Sequence, residues 1–268
     1  MFVKRLMSAA LLLILAGVAL ATGGLFLLVI SILVSLGGTY ELLKVDNMHK
    51  TMPGCITYVS VIGFYLFLHM KGLDAVAPWI VFSVMAILAM YVFVYPKHHA
   101  KSIALCIMAI MYTGVLTSFL YQTRCMECGN WLVWLVLIAA SGSDTFAYLT
   151  GICIGKHHFS ELSPKKTIEG CVGGVVGAAL LGLLYSLFVS EQVVEMFHMD
   201  IRVLFTMIGA IGAAVSQIGD LVASAVKRNY GIKDYSRLIP GHGGILDRFD
   251  SILYVAPVVY YLLVWCVS

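Results

Sequence analysis

Charge is what this sequence most conspicuously lacks. Asp, Glu, Lys and Arg together make up 12% of its 268 residues, about half the share of a soluble domain. So few charges cannot furnish a water-facing surface, which excludes an ordinary soluble globular protein. A bilayer is the solvent that removes the conflict. Long polar stretches are missing too, so no soluble domain, extended linker or low-complexity segment fits between the apolar runs. The net charge of +3 is too small to suggest a nucleic-acid partner. Cysteine is scattered, and the one close pair among seven is Cys125-Met-Glu-Cys128. Zinc needs about four ligands, and no second pair supplies them. A local Cys125–Cys128 disulfide is the other reading, if that loop faces an oxidising side. The adjacent pairs His98-His99 and His157-His158 point roughly 100° apart on a helix, which does not suit a shared metal. Gly151-Ile-Cys-Ile-Gly155-Lys156 fails as a P-loop, being one residue short and followed by His157.

What is present is apolar length: 61% of the chain is hydrophobic. A spanning helix needs roughly 20 apolar residues. The runs predict spans at 6–21, 22–43, 53–69, 75–95, 102–121, 130–150, 170–190, 202–227 and 250–267, nine in all, the first two divided at Gly23-Gly24. The expected fold is all-α and polytopic: one membrane domain over 1–268, with anchoring and packing helices in 1–129 and catalytic helices and loops in 130–268. Lys4 and Arg5 before an apolar run, with Ala19-Leu20-Ala21, imitate a secretory signal. The apolar character continues to Leu43, so the segment is read as an anchor. Gly173-xxx-Gly177 is a helix-packing pattern.

Charge placement orients this layout. With the N-terminus in the cytoplasm, one side receives Lys4, Arg5, Lys44, Lys50, Lys97, Lys101, Lys156, Lys165, Lys166, Lys227, Arg228, Lys233, Arg237 and Arg248, and the other only Lys71, Arg124 and Arg202. That is the positive-inside pattern. The polar loops at 151–169 and 228–249 fall on the basic side, and chemistry is sought there.

Three constellations stand out. At 100° per residue, Asp220, Ser224 and Lys227 share one narrow helix face, with Arg228 following. An ionisable residue in a span is a functional candidate by default. Carboxylate, hydroxyl and ammonium together suit a metal-bound phosphate; an Asp–Lys ion pair at a helix end is the plainer alternative. Next come Lys233-Asp234 and Gly241-His242-Gly243-Gly244, then Asp247, Arg248 and Asp250. Glycines around a His let the backbone N–H groups form an anion nest, leading into a helix N-terminus that also favours anions. Asp247 is read as a metal ligand, whereas Asp250 is equally a capping carboxylate. The third is Ser163-Pro164-Lys165-Lys166-Thr167-Ile168-Glu169, a stiffened basic loop. It is either a phosphate clamp or a headgroup-attracting patch. Asp144 lies near the end of the preceding span, as a cation ligand or a satisfied polar residue.

In order and spacing, Ser224-x-x-Lys227-Arg228, Lys233-Asp234, His242-Gly243-Gly244 and Asp247-Arg248-x-Asp250 resemble the signature of the phosphatidate cytidylyltransferases (CDP-diacylglycerol synthases). Asp144-Thr145, Ser163-Pro164-Lys165-Lys166-Thr167-x-Glu169-Gly170 and Gly219-Asp220 resemble that family as well. The match covers the C-terminal half; Phe146 departs from it, where a small residue is expected. The resemblance implies an all-helical membrane fold of about nine spans, a homodimer, and the reaction of CTP with phosphatidic acid to give CDP-diacylglycerol and diphosphate. It further implies Mg2+, with K+ or another monovalent cation as a second ion, and Asp220 and Asp247 as principal metal ligands. Lys227, Arg228, Lys165 and Lys166 are then expected to neutralise phosphate. Ser224, His242, Gly243 and Gly244 would orient it, and Lys233, Asp234, Arg248 and Asp144 would complete the substrate site. The implied location is a bacterial-type plasma membrane with the site at the cytoplasmic face. The alternatives are a related lipid nucleotidyltransferase, a polyprenol kinase, or an ion-coupled transporter.

Overall fold

The computed structural model describes residues 14–160, 162–236, 238 and 243–267. Among these, eight helices are long and apolar enough to cross a membrane. They are α1 (Gly24–Val45), α2 (Met52–Lys71), α3 (Val76–Val94), α4 (Ala100–Cys125), α5 (Gly129–Ile154), α6 (Ile168–Ser186), α7 (Ile201–Asn229) and α8 (Leu246–Cys266). Each corresponds to one of the apolar runs. Residues 14–22 are also helical; the rest of the span expected at 6–21 lies outside the described residues. The protein is an all-α polytopic membrane protein.

Local chemistry sets the helix ends. Thr51 opens α2, its hydroxyl accepting from Gly54 N at 3.3 Å, with Pro53 in the first turn. Pro is tolerated there because its missing N–H has no helical partner anyway. Gly72, at φ 68°, ends the same helix, in the left-handed conformation that favours glycine. Thr167 caps α6 by accepting from Gly170 N at 3.1 Å, and Asp200 caps α7 by accepting from Arg202 N at 2.8 Å. Inside α4, Ile110–Val115 forms a π-helical turn, an insertion often found at functional sites.

The chain packs as two compact units. The first takes in the helices up to Ser118 together with Ile232–Arg248, and the second takes in Phe119–Gly231 and Phe249–Ser268. In the first unit, polar pairs tie apolar helices together. Ser35 and Tyr65 hydroxyls meet at 2.8 Å between α1 and α2, and Thr39 and Thr113 hydroxyls meet at 2.7 Å between α1 and the π turn. Trp79 of α3 donates to Ser60 O at 2.8 Å, stacks on Phe67, and lies where Gly63 leaves room for its ring. Most of α3 is exposed, including Phe82, Val92 and Phe93, as a lipid-facing helix requires.

In the second unit, α5, α6 and α7 form the packed centre. Their contact runs along small residues, which let backbones approach closely. A Cβ added at Gly182 would strike the Phe205 carbonyl, and one at Gly209 the Ala178 carbonyl. Gly177 of α6 accommodates the Phe146 ring of α5. That explains how Phe146 is tolerated where the motif has a small residue: the volume is given up across the interface. The Gly173–Gly177 pattern is therefore a packing device, since Gly173 lies likewise against Thr150.

The loop between α5 and α6 is not irregular throughout. His158–Ser160 (β1) and Ser163–Thr167 (β2) pair as an antiparallel hairpin, with His158 opposite Thr167 and Ser160 opposite Ser163. Cys125, at the end of α4, and Cys128, just before α5, are both free thiols. Burial pushes the Cys128 thiol up, and neighbouring Glu127 adds to the effect.

Candidate active site

The second unit gathers charge around Asp220. The helical reading of 220–227 holds: Asp220, Ser224 and Lys227 all lie on α7, where their spacing puts them on one face. Lys166 of β2 reaches that face, its Nζ 2.6 Å from Asp220 Oδ2, with both side chains about three-quarters shielded from solvent. Asp144 of α5 is within Coulombic reach of Lys166 and Asp220. Asp250 of α8 is within reach of Asp220, Lys227 and Asp144.

Glycine allows this convergence. A Cβ on Gly219 would come within 2.7 Å of the Asp250 carbonyl oxygen and 3.0 Å of the Tyr254 side chain. Next to Asp220, therefore, α7 and α8 approach more closely than any side chain would permit. Asp250 is buried, and its Oδ1 accepts from Ser251 N at 2.8 Å. Beneath the charges, Gln217 donates to Cys171 O at 2.9 Å, linking α7 to α6.

The hairpin that carries Lys166 is itself anchored. Glu169, in the first turn of α6, accepts from Lys156 N at 3.1 Å and His157 N at 3.2 Å, and meets His157 Nδ1 at 2.6 Å. Ile168 N donates to His157 O at 2.9 Å. These bonds hold the open end of the hairpin, where β2 runs into α6 just after Lys166. Lys165 lies on the same strand; its side chain is outside the described residues. Arg228 is exposed at the end of α7.

The first unit holds the other half of the motif. Asp247, at the start of α8, accepts from Tyr235 N and Gly244 N through Oδ2, each at 3.0 Å. It thus binds both sides of the glycine segment. Gly243 has φ 83° and lies against Asp247, a conformation and a space that both call for glycine. Lys233, Asp234 and Arg248 are exposed. His242 lies outside the described residues.

The sequence reasoning leaves one carboxylate undecided and misses another. Asp250 was equally well explained as a helix cap; the structure puts it among Asp220, Lys227 and Asp144 instead. Glu41 of α1 carried no motif at all. It is fully buried, and its carboxylate accepts from Ser236 Oγ at 2.5 Å, Ile245 N at 2.9 Å and Leu246 N at 2.8 Å. The available signal was an acid inside an otherwise apolar span.

No group of three or more His, Cys, Asp or Glu side chains is closed up into a metal cage among the described residues. The donors around Asp220 are nonetheless all carboxylate oxygens. This fits Mg2+, which takes one or two carboxylates, keeps water, and completes its shell with substrate phosphates. The arrangement offers anions for a cation and cations for phosphate oxygens.

Comparison with known proteins agrees with that chemistry. The family model described as "Cytidylyltransferase family" matches residues 3–266. A phosphatidate cytidylyltransferase of Staphylococcus saprophyticus is 33% identical, the match covering 97% of this chain and 98% of that protein. Proteins of the same name from Staphylococcus epidermidis and Staphylococcus aureus are 34% and 35% identical, each match covering 91% of this chain and 92% of theirs. The chain belongs to the cytidylyltransferase family.

Proposed function

We propose that this protein is a phosphatidate cytidylyltransferase, joining CTP to phosphatidic acid to give CDP-diacylglycerol and diphosphate for phospholipid synthesis. The observation that carries the reading is the convergence of Asp220, Lys166, Asp144, Asp250 and Lys227 at one end of α7. It occurs in a chain that matches proteins of that name over nearly its full length.

The chemistry explains why such a site needs no strong general base. A phosphate monoester has its second pKa near 6, so the attacking oxygen arrives ionised. It attacks the α-phosphorus in line; the new phosphoanhydride bond forms as the bond to the β-phosphate breaks, and diphosphate leaves with the electron pair. The obstacle is bringing anions together, which calls for positioning and charge. Lys166, Lys227, Lys165 and Arg228 neutralise phosphate oxygens, Ser224, His242 and the Gly243-Gly244 backbone orient them, and Lys233, Asp234 and Arg248 contribute to substrate binding. Asp220 and Asp247 are the carboxylates assigned to Mg2+, with Asp144 as a secondary cation ligand; K+ is the second ion the family resemblance implies. Bound magnesium would supply positive charge to the triphosphate. The protein works as a homodimer in a bacterial plasma membrane. Its basic loops lie on the cytoplasmic side, where water-soluble CTP can meet a lipid headgroup.

A polyprenol kinase or a transporter is not favoured, because the relatives named above are cytidylyltransferases. The test is the fate of label. With phosphatidic acid and CTP labelled at the α-phosphorus, label enters the lipid fraction and one diphosphate appears per lipid labelled. Label entering lipid from the γ-phosphorus instead, with CDP released, would replace cytidylyl transfer by a kinase reaction.

A further inference from the structure

We infer that Glu41 is a positioning residue for the reaction. Lying in α1, some two hundred residues before its partners (sequence separations of 195, 204 and 205), it holds both stems of the glycine segment, and with them the start of α8, in working geometry.

Three features lead there. First, the bonds reach both stems of the segment: Ser236 on one side, Ile245 and Leu246 on the other. Ser236 Oγ, while donating to Glu41, accepts from Leu238 N at 3.1 Å, so the first stem is turned by the same hydroxyl. Second, Ile245 N and Leu246 N stand at the beginning of α8. Helix-start N–H groups lack partners within their own helix, and the helix dipole favours an anion there. Glu41 therefore supplies the cap that the local sequence omits. Third, α1 is shaped to receive this end. A Cβ on Gly37 would strike Ile245, one on Gly38 would come within 3.1 Å of Leu246, and one on Gly244 within 2.5 Å of Glu41 Oε2.

A fully buried carboxylate is costly unless donors satisfy it, and three donors converge on this one. Asp247 follows directly on Leu246. A shift at the helix start is thus passed to the carboxylate that binds Tyr235 N and Gly244 N. Glu41 touches neither nucleotide nor lipid in this account; it acts through the segment.

The inference rests on the cytidylyltransferase reading but has its own test. Glu41→Gln keeps size and one acceptor oxygen, yet sets an amide N–H2 against one of the two backbone donors; Ser236→Ala removes only one bond. Both are purified in detergent, and their thermal midpoints, separate KM values for CTP and phosphatidic acid, kcat, and amide exchange across 243–247 are measured beside wild type. Glu41→Gln should lower kcat/KM for CTP by about 10- to 100-fold, the range expected for hydrogen bonds to a charged group. Its KM for phosphatidic acid should stay near wild type, its thermal midpoint should fall by a few degrees while the protein stays folded at the assay temperature, because a buried donor loses its acceptor, and Gly244–Leu246 amides should exchange faster. Ser236→Ala should show a smaller loss of the same kind, and Glu41→Ala a larger one than Glu41→Gln. Wild-type kinetics and exchange in Glu41→Gln would overturn the inference, as would a fall in kcat alone that tracks the folded fraction in every variant. An inactive wild type would count against the functional reading, while the exchange measurement would still decide whether Glu41 holds the segment.

Discussion

Two glutamates do the same job in opposite ways. Glu169 anchors the hairpin of the second unit through partners 12 and 13 residues away, one of them the His157 side chain, which is 74% exposed. Glu41 anchors the glycine segment of the first unit through partners 195 to 205 residues away, with none of its own surface exposed. A local, water-accessible anchor sets direction at little cost and is screened by solvent. A buried, distant anchor is all-or-none, because any donor deprived of its acceptor stays desolvated. Loss of the Glu41 carboxylate is therefore expected to cost more than loss of the Glu169 carboxylate.

The contrast sets an order of effects. Asp247→Asn comes first. It removes the charge of the carboxylate that the family resemblance assigns to magnesium, and turnover should fall about 1000-fold or more, the upper range for loss of one key electrostatic group. Circular dichroism and gel filtration should show the variant folded; activity near wild type would remove Asp247 from the chemistry. Lys166→Ala follows, at about 100-fold, since it deletes the cation 2.6 Å from Asp220. Restoration by Arg but not by Met would show that charge matters there rather than bulk. Gly244→Ala tests the buried anchor: its Cβ would press on Glu41, an overpacking of about 1–3 kcal/mol, visible as roughly tenfold slower turnover and a lower thermal midpoint. Glu169→Gln is the mildest. It should cost only about two- to threefold, as solvent-screened contacts do. A loss from Glu169→Gln larger than from Gly244→Ala would reverse the comparison.

Much of this was legible beforehand, for identifiable reasons. Helix positions follow from apolar length, a property each segment carries alone, which is why runs such as 53–69 and 202–227 reappear as Met52–Lys71 and Ile201–Asn229. The Asp220–Ser224–Lys227 face follows from helical periodicity. The pairing of Lys166 with Asp220 does not, because 54 residues separate them and nothing local encodes the meeting. Asp250 was ambiguous since a carboxylate in a first helical turn has a sufficient local explanation; only its neighbours decide otherwise. Glu41 was hidden for the same reason in stronger form. Its role is defined wholly by residues near the other end of the chain, and its only local trace is a charge where the span should be apolar. The β1–β2 hairpin is not legible in the sequence, because Pro164 and its polar neighbours carry no strand alternation, while Glu169 and Thr167 supply the order that pattern lacks.

The measurement that bears most directly on the central claim is turnover by purified wild-type protein. Phosphatidic acid, cytidine-labelled CTP and Mg2+ are supplied, with and without a chelator. The account predicts labelled CDP-lipid with matching diphosphate, abolished by the chelator and restored by excess Mg2+. Folded protein that forms no CDP-lipid under these conditions, or forms it equally well with the metal removed, would contradict it.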